Sequence, residues 1–437
     1  MNKIIQKAQG FVREYGPRRS AILPRCHQTD MEKAGVDKFF SSIIYIASVS
    51  ELVEKIPGLK TSLLALPHIT EMNRLIQEMQ RRRTALNFGD AALFQNWLKG
   101  FPGNSGISDY HRVQIHLAEM QLLNSQGYVL SAAKVATQIT KRFNISRSEK
   151  GLSLGRESCL QFQTEQANNA LARLDAEEAI SFLDEHLKHL NDVAPALRAH
   201  FQATYGRSLY FLGKVDEAQY FYKQAIATAD FGNTDYSGQY RNYLVHTWLR
   251  KAETAYGVEK DTFLEEAERL LTESERSFAP RTTEIAFKSH ALFCERLHTQ
   301  IAWLRREAYE PTVAESSPYQ QVLIYLYFNC ARNKAHPLET RLAYCERIRH
   351  PRSSRVVGKA DQINHVTFLR GITRLYYHAL QDDQEELARW RKGLLRTSVL
   401  LKRNDFPGWH TLFATHLPCS RINVDDIEKL AEAVPFF

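Results

Sequence analysis

Three groups of residues in this 437-residue sequence have types and spacings that could carry chemistry. The first is Gly151-Leu152-Ser153-Leu154-Gly155, a GxSxG pattern that can place a nucleophilic serine on a tight turn after a buried strand. The five residues before it are polar and basic, so we predict a connection between helices there instead of a strand. No other pattern supports an enzyme, and we expect no catalytic residue.

The second group is a pair of histidines, His186 and His189, which are three residues apart. On a helix, such a pair could share a metal ion. No third ligand follows at a recognisable spacing, and the sequence has no HExxH, GxGxxG, Walker-type or EF-hand pattern. A solvated helix face is therefore the preferred interpretation, and we expect neither a metal nor a cofactor.

The third group is basic. Lysine and arginine exceed aspartate and glutamate by eight charges, and much of the excess lies beyond residue 345. One stretch without acidic residues contains Arg347, Arg349, Arg352 and Arg355. A second contains Arg389, Trp390, Arg391, Lys392 and Arg396. Such arginines could neutralise phosphates, and Trp390 could stack on a base. The alternative is a set of solvated faces and helix C-termini, where cations are favoured.

The elements that must position these residues are mostly helices. Only 20 glycines and 14 prolines are present, and apolar residues recur at three- and four-residue steps from residue 109 onward. Helices are predicted over Asp109–Gln126, Val129–Phe143, Arg156–Arg173, Ala176–Leu190, Ala196–Leu212, Val215–Thr228, Tyr240–Tyr256 and Phe263–Leu271. The short connections between them are typical of antiparallel neighbours. The predicted fold class is therefore mainly α.

The first hundred residues have a different pattern. Short apolar runs at Ser20–Leu23, Ser42–Ala47 and Thr61–Leu66 alternate with helix-prone stretches, which suggests a small α/β domain with a parallel sheet. Buried short helices are the alternative, because brief apolar runs cannot be assigned by periodicity alone. Breaks at 101–106 and 309–318 then divide the chain into three parts. These are an N-terminal domain (1–103), a helical repeat region (107–308) and a basic helical region (318–437).

One segment, Thr204–Ala229, combines a small residue, a turn glycine and a regular buried face. Gly206 would allow two helices to approach, Leu209 and Leu212 would be buried, and Gly213 would end the first helix. On the second helix, Ala218, Tyr222 and Ala225 recur at steps of four and three. This segment resembles the tetratricopeptide repeat (TPR) family, and weaker copies can be aligned on Ala132, Ala179 and Ala267. Their irregular spacing leaves an irregular helical bundle as the alternative to a TPR-like α-solenoid of antiparallel helical hairpins.

The resemblance implies that the first helix of each hairpin lines a concave binding surface. The family's groove positions correspond here to Gln121, Asn124, Asn168, Arg207, Tyr210 and Phe211. Arginine and asparagine at such positions can hold the carboxylate or backbone of a peptide, although ordinary surface or packing roles are the alternative. The leading hypothesis is thus a non-enzymatic, TPR-like scaffold or regulatory adaptor in signal transduction that binds a protein or peptide partner. A nucleic-acid-associated regulator is the alternative.

The N-terminal region carries a weaker likeness. Residues 62–67 and the helix-prone stretch 71–83 resemble the third strand and helix of a response-regulator receiver domain. That family's phospho-accepting aspartate would fall near Leu63, and no acidic pair follows the first apolar run. The likeness therefore implies a receiver-like domain that cannot be phosphorylated.

The sequence was also searched for a signal peptide and for a membrane-spanning segment, which would indicate the cellular location. The N-terminus lacks the apolar run of a signal peptide, and the most apolar stretch, Phe39–Ala47, is too short to cross a bilayer. The six cysteines form no CxxC pair, so free and mostly buried thiols are expected. We therefore predict a cytoplasmic protein without a membrane partner.

Overall fold

The computed structural model of this chain describes residues 20–24, 32, 42–46, 70–80, 88–99, 109–143, 155–232, 236–278, 285–312, 320–348, 365–417 and 421–434. Most of these residues are α-helical, which confirms the mainly α fold class. Two strands, β1 (Ser20–Pro24) and β2 (Ser42–Ile46), pair in parallel at two of the three predicted runs. The third run, Thr61–Leu66, lies outside the described residues, so the N-terminal α/β domain stays a prediction, as does the receiver likeness at 62–67.

Most helices up to residue 254 begin and end within a few residues of the predicted bounds, whereas the predicted Phe263–Leu271 is the middle of a longer helix, Gly257–Phe278. The first six are α1 (70–80), α2 (Phe88–Lys99), α3 (Asp109–Gln126), α4 (Val129–Phe143), α5 (Arg156–Ala172) and α6 (Ala176–Leu183). The next five are α7 (Pro195–Phe211), α8 (Val215–Phe231), α9 (Ser237–Thr254), α10 (Gly257–Phe278) and α11 (Ile285–Arg305). The last six are α12 (Gln320–Arg332), α13 (Leu338–Arg347), α14 (His365–Leu380), α15 (Gln384–Lys402), α16 (Gly408–His416) and α17 (Val424–Glu432).

Local sequence explains several of the helix boundaries. The carboxylate of Asp175 accepts a hydrogen bond from the Glu178 backbone N–H (3.0 Å) and so caps the start of α6. Asp383 caps α15 through the Glu386 N–H (3.1 Å) in the same way. The helix predicted over Ala176–Leu190 is only partly right, because the α-helix ends at Leu183 and a 3₁₀ helix continues from Asp184 to Asp192. No described helix is both long enough and apolar enough to traverse a bilayer.

The turn between α7 and α8 is built by glycine. Gly213 lies in the left-handed region at a φ of 75°, a conformation that costs glycine no side-chain clash. The Lys214 N–H then donates to the Leu209 carbonyl (3.0 Å), which closes the end of α7. Leu209 is buried as predicted, but the same prediction is wrong for Leu212, which is 37% exposed. The reason is that Leu212 follows the last helical residue and caps the helix instead of facing the core.

A close contact joins α7 to α8 at Gly206, as the sequence predicted. A Cβ atom at this position would lie 2.9 Å from a ring carbon of Tyr222 and 3.3 Å from the Ala218 carbonyl oxygen. Ala218, Tyr222 and Ala225 are all fully buried. The small residue at position 206 therefore sets the distance between the two helices.

We expect Gly206→Ala to lower the free energy of unfolding by about 1 kcal/mol. Overpacking typically costs about 1–3 kcal/mol, whereas alanine gains about 1 kcal/mol in helix propensity. In a Tyr222→Leu background the contact with the ring disappears and only the Ala218 carbonyl oxygen at 3.3 Å remains, so the same substitution should cost less or become neutral. Chemical unfolding of the wild type, the two single variants and the double variant measures the coupling between positions 206 and 222. Additive effects of the two substitutions would contradict the contact.

The C-terminal helices return to the end of α5. Residues 172–174 contact residues 406–409, and we call this contact the closure. Trp409 Nε1 donates to the Ala172 carbonyl oxygen (3.0 Å), and the Arg173 guanidinium lies 3.8 Å from the centroid of the Phe406 ring. A Cβ atom on Gly408 would lie only 2.3 Å from the Arg173 carbonyl oxygen. The helical part of the chain thus closes on itself through closely fitted backbone.

Candidate functional site

A cavity of about 530 Å³ lies between the helices. Its lining comes mainly from α3, α5, α7, α9, α11, α12 and α14, whereas α4, α6, α8 and α10 supply none of the described lining residues. Trp409 and Val434 from the C-terminal part complete it. Sites for small ligands typically measure roughly 300–1,000 Å³, so this cavity is large enough for a small molecule or a short segment of chain.

The structure brings five of the six predicted groove residues to this cavity. They are Gln121 and Asn124 on α3, Asn168 on α5, and Arg207 and Phe211 on α7. The sixth, Tyr210, is not among the lining residues, although it lies on α7 with Arg207 and Phe211. Burial raises the pKa of the Tyr210 hydroxyl, as does the nearby Glu253 carboxylate. Tyr210 packs against the hydrophobic core that the neighbouring helices share.

Amide side chains connect the cavity wall to the closure. Asn124 Nδ2 donates to the backbone carbonyl of Glu165 (3.0 Å) and to its carboxylate (3.1 Å). Asn169 Nδ2 donates to Asn124 Oδ1 (3.1 Å) and to the Val129 carbonyl oxygen (3.0 Å). Asn169 Oδ1 in turn accepts from Arg173 Nε (3.1 Å), the arginine of the closure. The position of Asn124 in the cavity is thus tied to the docking of the C-terminal helices.

Two arginines bring positive charge to the cavity. Arg207 Nη1 donates to Asn168 Oδ1 (3.3 Å), and its guanidinium lies 5.6 Å from the centroid of the Tyr243 ring. Arg296, which is 1% exposed, places its guanidinium 4.5 Å from the centroid of the Tyr325 ring. Burial raises the pKa of Tyr325, while the charges of both arginines oppose that rise. Helix α11 therefore places a cation against a tyrosine on α12, and α7 brings a second cation to the cavity.

Three histidines of the cavity are held in the neutral form. Burial lowers the pKa of both His290 and His365 to about 4. Burial also lowers the pKa of His246 well below its usual range, and the nearby Arg296 charge acts in the same direction. Near pH 7 these rings can therefore donate or accept hydrogen bonds without adding charge.

Four residues that define the cavity had escaped prediction: Arg296, Tyr325, His290 and His365. They lie on α11, α12 and α14, where no repeat copy could be aligned. The available signal was a polar or charged residue on the otherwise apolar face of each helix, such as Arg296 among Phe293, Leu297 and Ile301.

The basic residues predicted to touch nucleic acid have mixed environments. Arg389 pairs with Glu386 (2.8 Å), and Arg391 Nε donates to the Leu417 carbonyl oxygen (3.1 Å). Trp390 is half-buried and packs against the hydrophobic core of the C-terminal helices. Lys392 and Arg396 are exposed on α15, and the exposed Arg347 lies over the Tyr344 ring at 5.1 Å. Arg349, Arg352 and Arg355 lie outside the described residues.

The two remaining candidate motifs are the GxSxG pattern and the histidine pair. Residues 151–154 of the GxSxG pattern, including Ser153, lie outside the described residues. His186 is buried on the 3₁₀ helix, so the expected solvated face is wrong at that position. Within the described ranges no three His, Cys, Asp or Glu side chains are grouped closely enough to hold a metal.

The cysteines agree with the expectation where they are described. Cys159, Cys294, Cys330 and Cys345 are free and buried, while Cys26 and Cys419 lie outside the described residues. Burial raises the pKa of the Cys330 and Cys345 thiols to about 12, so they remain protonated at neutral pH.

Comparison with protein-family models, with curated proteins and with solved structures finds no match to this chain. The cavity is therefore interpreted from its own geometry.

Proposed function

We propose that this protein is a non-enzymatic, TPR-like regulatory adaptor, built as an α-solenoid of helical hairpins, that binds a protein or peptide partner on its inner face. The observation that carries the proposal is that Gln121, Asn124, Asn168, Arg207 and Phe211 line one cavity. These positions were selected from three separate helices by their place in each hairpin. A short segment of a partner fits the cavity size better than a folded domain does, so we propose that a segment enters.

The polar groups of the cavity suit an extended segment. Amide side chains such as Gln121, Asn168 and Gln239 carry both donors and acceptors, and so they can pair with either side of a peptide group. Arg207 can form charge-assisted hydrogen bonds to a carboxylate of the partner. The aromatic rings of Phe211 and Tyr243 supply apolar area for a side chain.

Site-specific photo-cross-linking in a lysate of the native host tests this function. The photoreactive residue p-benzoylphenylalanine replaces Phe211 in the cavity, or Tyr220, a 60% exposed position on α8, as the matched control. We expect one defined segment of a partner to cross-link from position 211 and not from position 220. Adding Arg207→Glu should reduce that product at least tenfold, because a charge reversal repels an acidic group.

Equal products from both positions, or a product from position 211 that does not depend on Arg207, would refute a partner site on the inner face. A parallel sample treated with nuclease tests whether recovery of the cross-linked partner depends on nucleic acid.

Nucleic-acid contact through the exposed Lys392 and Arg396 stays a prediction of the sequence, as do the three-part division of the chain and the cytoplasmic location.

A further inference from the structure

The charged groups of the cavity restrict what can enter it. Among its described lining residues, the arginine and carboxylate side chains are Arg207, Arg296 and Glu165, so two positive charges face one negative charge. The Glu165 carboxylate already accepts a hydrogen bond from Asn124 Nδ2 (3.1 Å). Four histidines also line the cavity, His200, His246, His290 and His365, and the last three are neutral near pH 7. The cavity therefore favours a ligand with a single negative charge.

Burial strengthens this preference. Arg296 is almost fully enclosed, and electrostatic interactions are stronger where water is excluded than at an open surface. Arg207 is held at the cavity wall by its hydrogen bond to Asn168 and its contact with Tyr243. A negative group in the cavity would thus be attracted by two guanidinium groups that neighbouring residues hold in place.

The remaining lining is rich in aromatic rings: Phe211, Tyr240, Tyr243, Phe293, Tyr325 and Trp409. Aromatic pairs in stacked or edge-to-face geometry contribute beyond the apolar area that they bury. These rings come from five helices, and two of them, Tyr243 and Tyr325, lie against Arg207 and Arg296. A planar aromatic group can therefore lie against them while its charged group reaches Arg207 and Arg296.

We infer that the cavity recognises a planar aromatic group that carries one negative charge. The inference rests on the proposed function in one respect, namely that the cavity is a binding site, and it names the chemistry bound there. That group can belong to a free small molecule or to a C-terminal aromatic residue of the partner, whose ring and α-carboxylate supply the same two features.

Calorimetric titrations of the full chain with four probes test three requirements separately. These are the aromatic ring, the negative charge and the limit of one charge. The probes are 1-naphthoate, its neutral amide 1-naphthamide, the non-aromatic cyclohexanecarboxylate, and the dianion 1-naphthyl phosphate. We expect 1-naphthoate to bind at least tenfold more tightly than each of the other three. Equal binding of the acid and its amide, or tenfold tighter binding of the phosphate, would overturn the assignment.

Matched arginine variants locate the binding. We expect Arg207→Met and Arg296→Met each to weaken 1-naphthoate binding at least tenfold, because methionine keeps an apolar stem and removes the cation. Arg269→Met, at an exposed arginine on α10 outside the cavity, should leave it unchanged. Arg207 is half-buried, so its variant remains informative if the buried Arg296 variant fails to fold. Undiminished binding by folded Arg207→Met would exclude the cavity.

Competition with the photo-cross-linked partner distinguishes the two sources. If 1-naphthoate abolishes the cross-link from position 211, the partner itself supplies the aromatic anion. If the cross-link persists at saturating 1-naphthoate, a free small molecule is the ligand. Binding of 1-naphthoate without any partner cross-link would count against the proposed adaptor function and leave this inference standing, whereas a cross-link without 1-naphthoate binding would do the reverse.

Discussion

Trp409→Ala is expected to lower the free energy of unfolding by about 3–5 kcal/mol, the usual cost of deleting a large buried aromatic side chain. Trp409 is 2% exposed, and its ring centroid lies 4.9 Å from that of Phe368 and 5.8 Å from that of Phe413. The substitution also leaves the Ala172 carbonyl oxygen without its donor. We expect the loss to be concentrated at the closure, because Trp409 contributes both packing and a hydrogen bond there.

Urea unfolding followed by circular dichroism measures this effect, and two variants serve as controls. Trp409→Phe keeps one aromatic ring but removes the hydrogen bond and part of the buried ring, so about 2 kcal/mol should be lost. Trp390→Ala removes a half-buried indole on α15, outside the closure, and should cost less than Trp409→Ala. Equal losses for Trp409→Ala and Trp390→Ala would show that the closure does not depend on Trp409.

Acidification from pH 7 to pH 5 is expected to cost about 3 kcal/mol of stability through the cavity histidines, with allowance for the partial exposure of two of them. The folded-state pKa of both His290 and His365 is about 4, whereas an unfolded histidine titrates near 6.5. Between these values the unfolded chain binds more protons, so stability rises with pH across this window and is lost as pH falls through it. Buried His246 adds to the loss in the same direction.

Thermal unfolding at fixed ionic strength over this pH range measures the loss. The double variant His290→Gln and His365→Gln removes the two titrations and should lower the pH-dependent loss by about 2 kcal/mol. His416→Gln is the control, because His416 lies at the end of α16 and is not among the residues that line the cavity. A pH dependence unchanged in the double variant would mean that other groups bind the protons.

Local features of the sequence predicted the helices well because the contacts that decide them are local. Gly206, Ala218 and Tyr222 lie within one hairpin, so their spacing alone predicted a close helix pair. The closure was not predicted. Trp409 and Ala172 are 237 positions apart, and neither residue differs from an ordinary buried helix residue in the sequence.

Part of the cavity lining was predicted because it depends on the position of residues within single hairpins. Arg207 and Asn168 could be assigned to the inner face from their place on the first helices of two hairpins. Arg296 and Tyr325 line the same cavity as Arg207, but they come from helices without a recognisable repeat. When residues far apart in the sequence line one cavity, the residues next to each of them do not show which others it will lie beside.

The closure also limits how such a chain can change in length. An open array of repeats can gain or lose a whole unit, since each unit contacts only its neighbours. Here Gly408 must meet the Arg173 carbonyl at close range, so an inserted or deleted hairpin would separate the two surfaces or force them together. The number of hairpins is thereby fixed by geometry, and new binding properties must arise by substitution within the cavity.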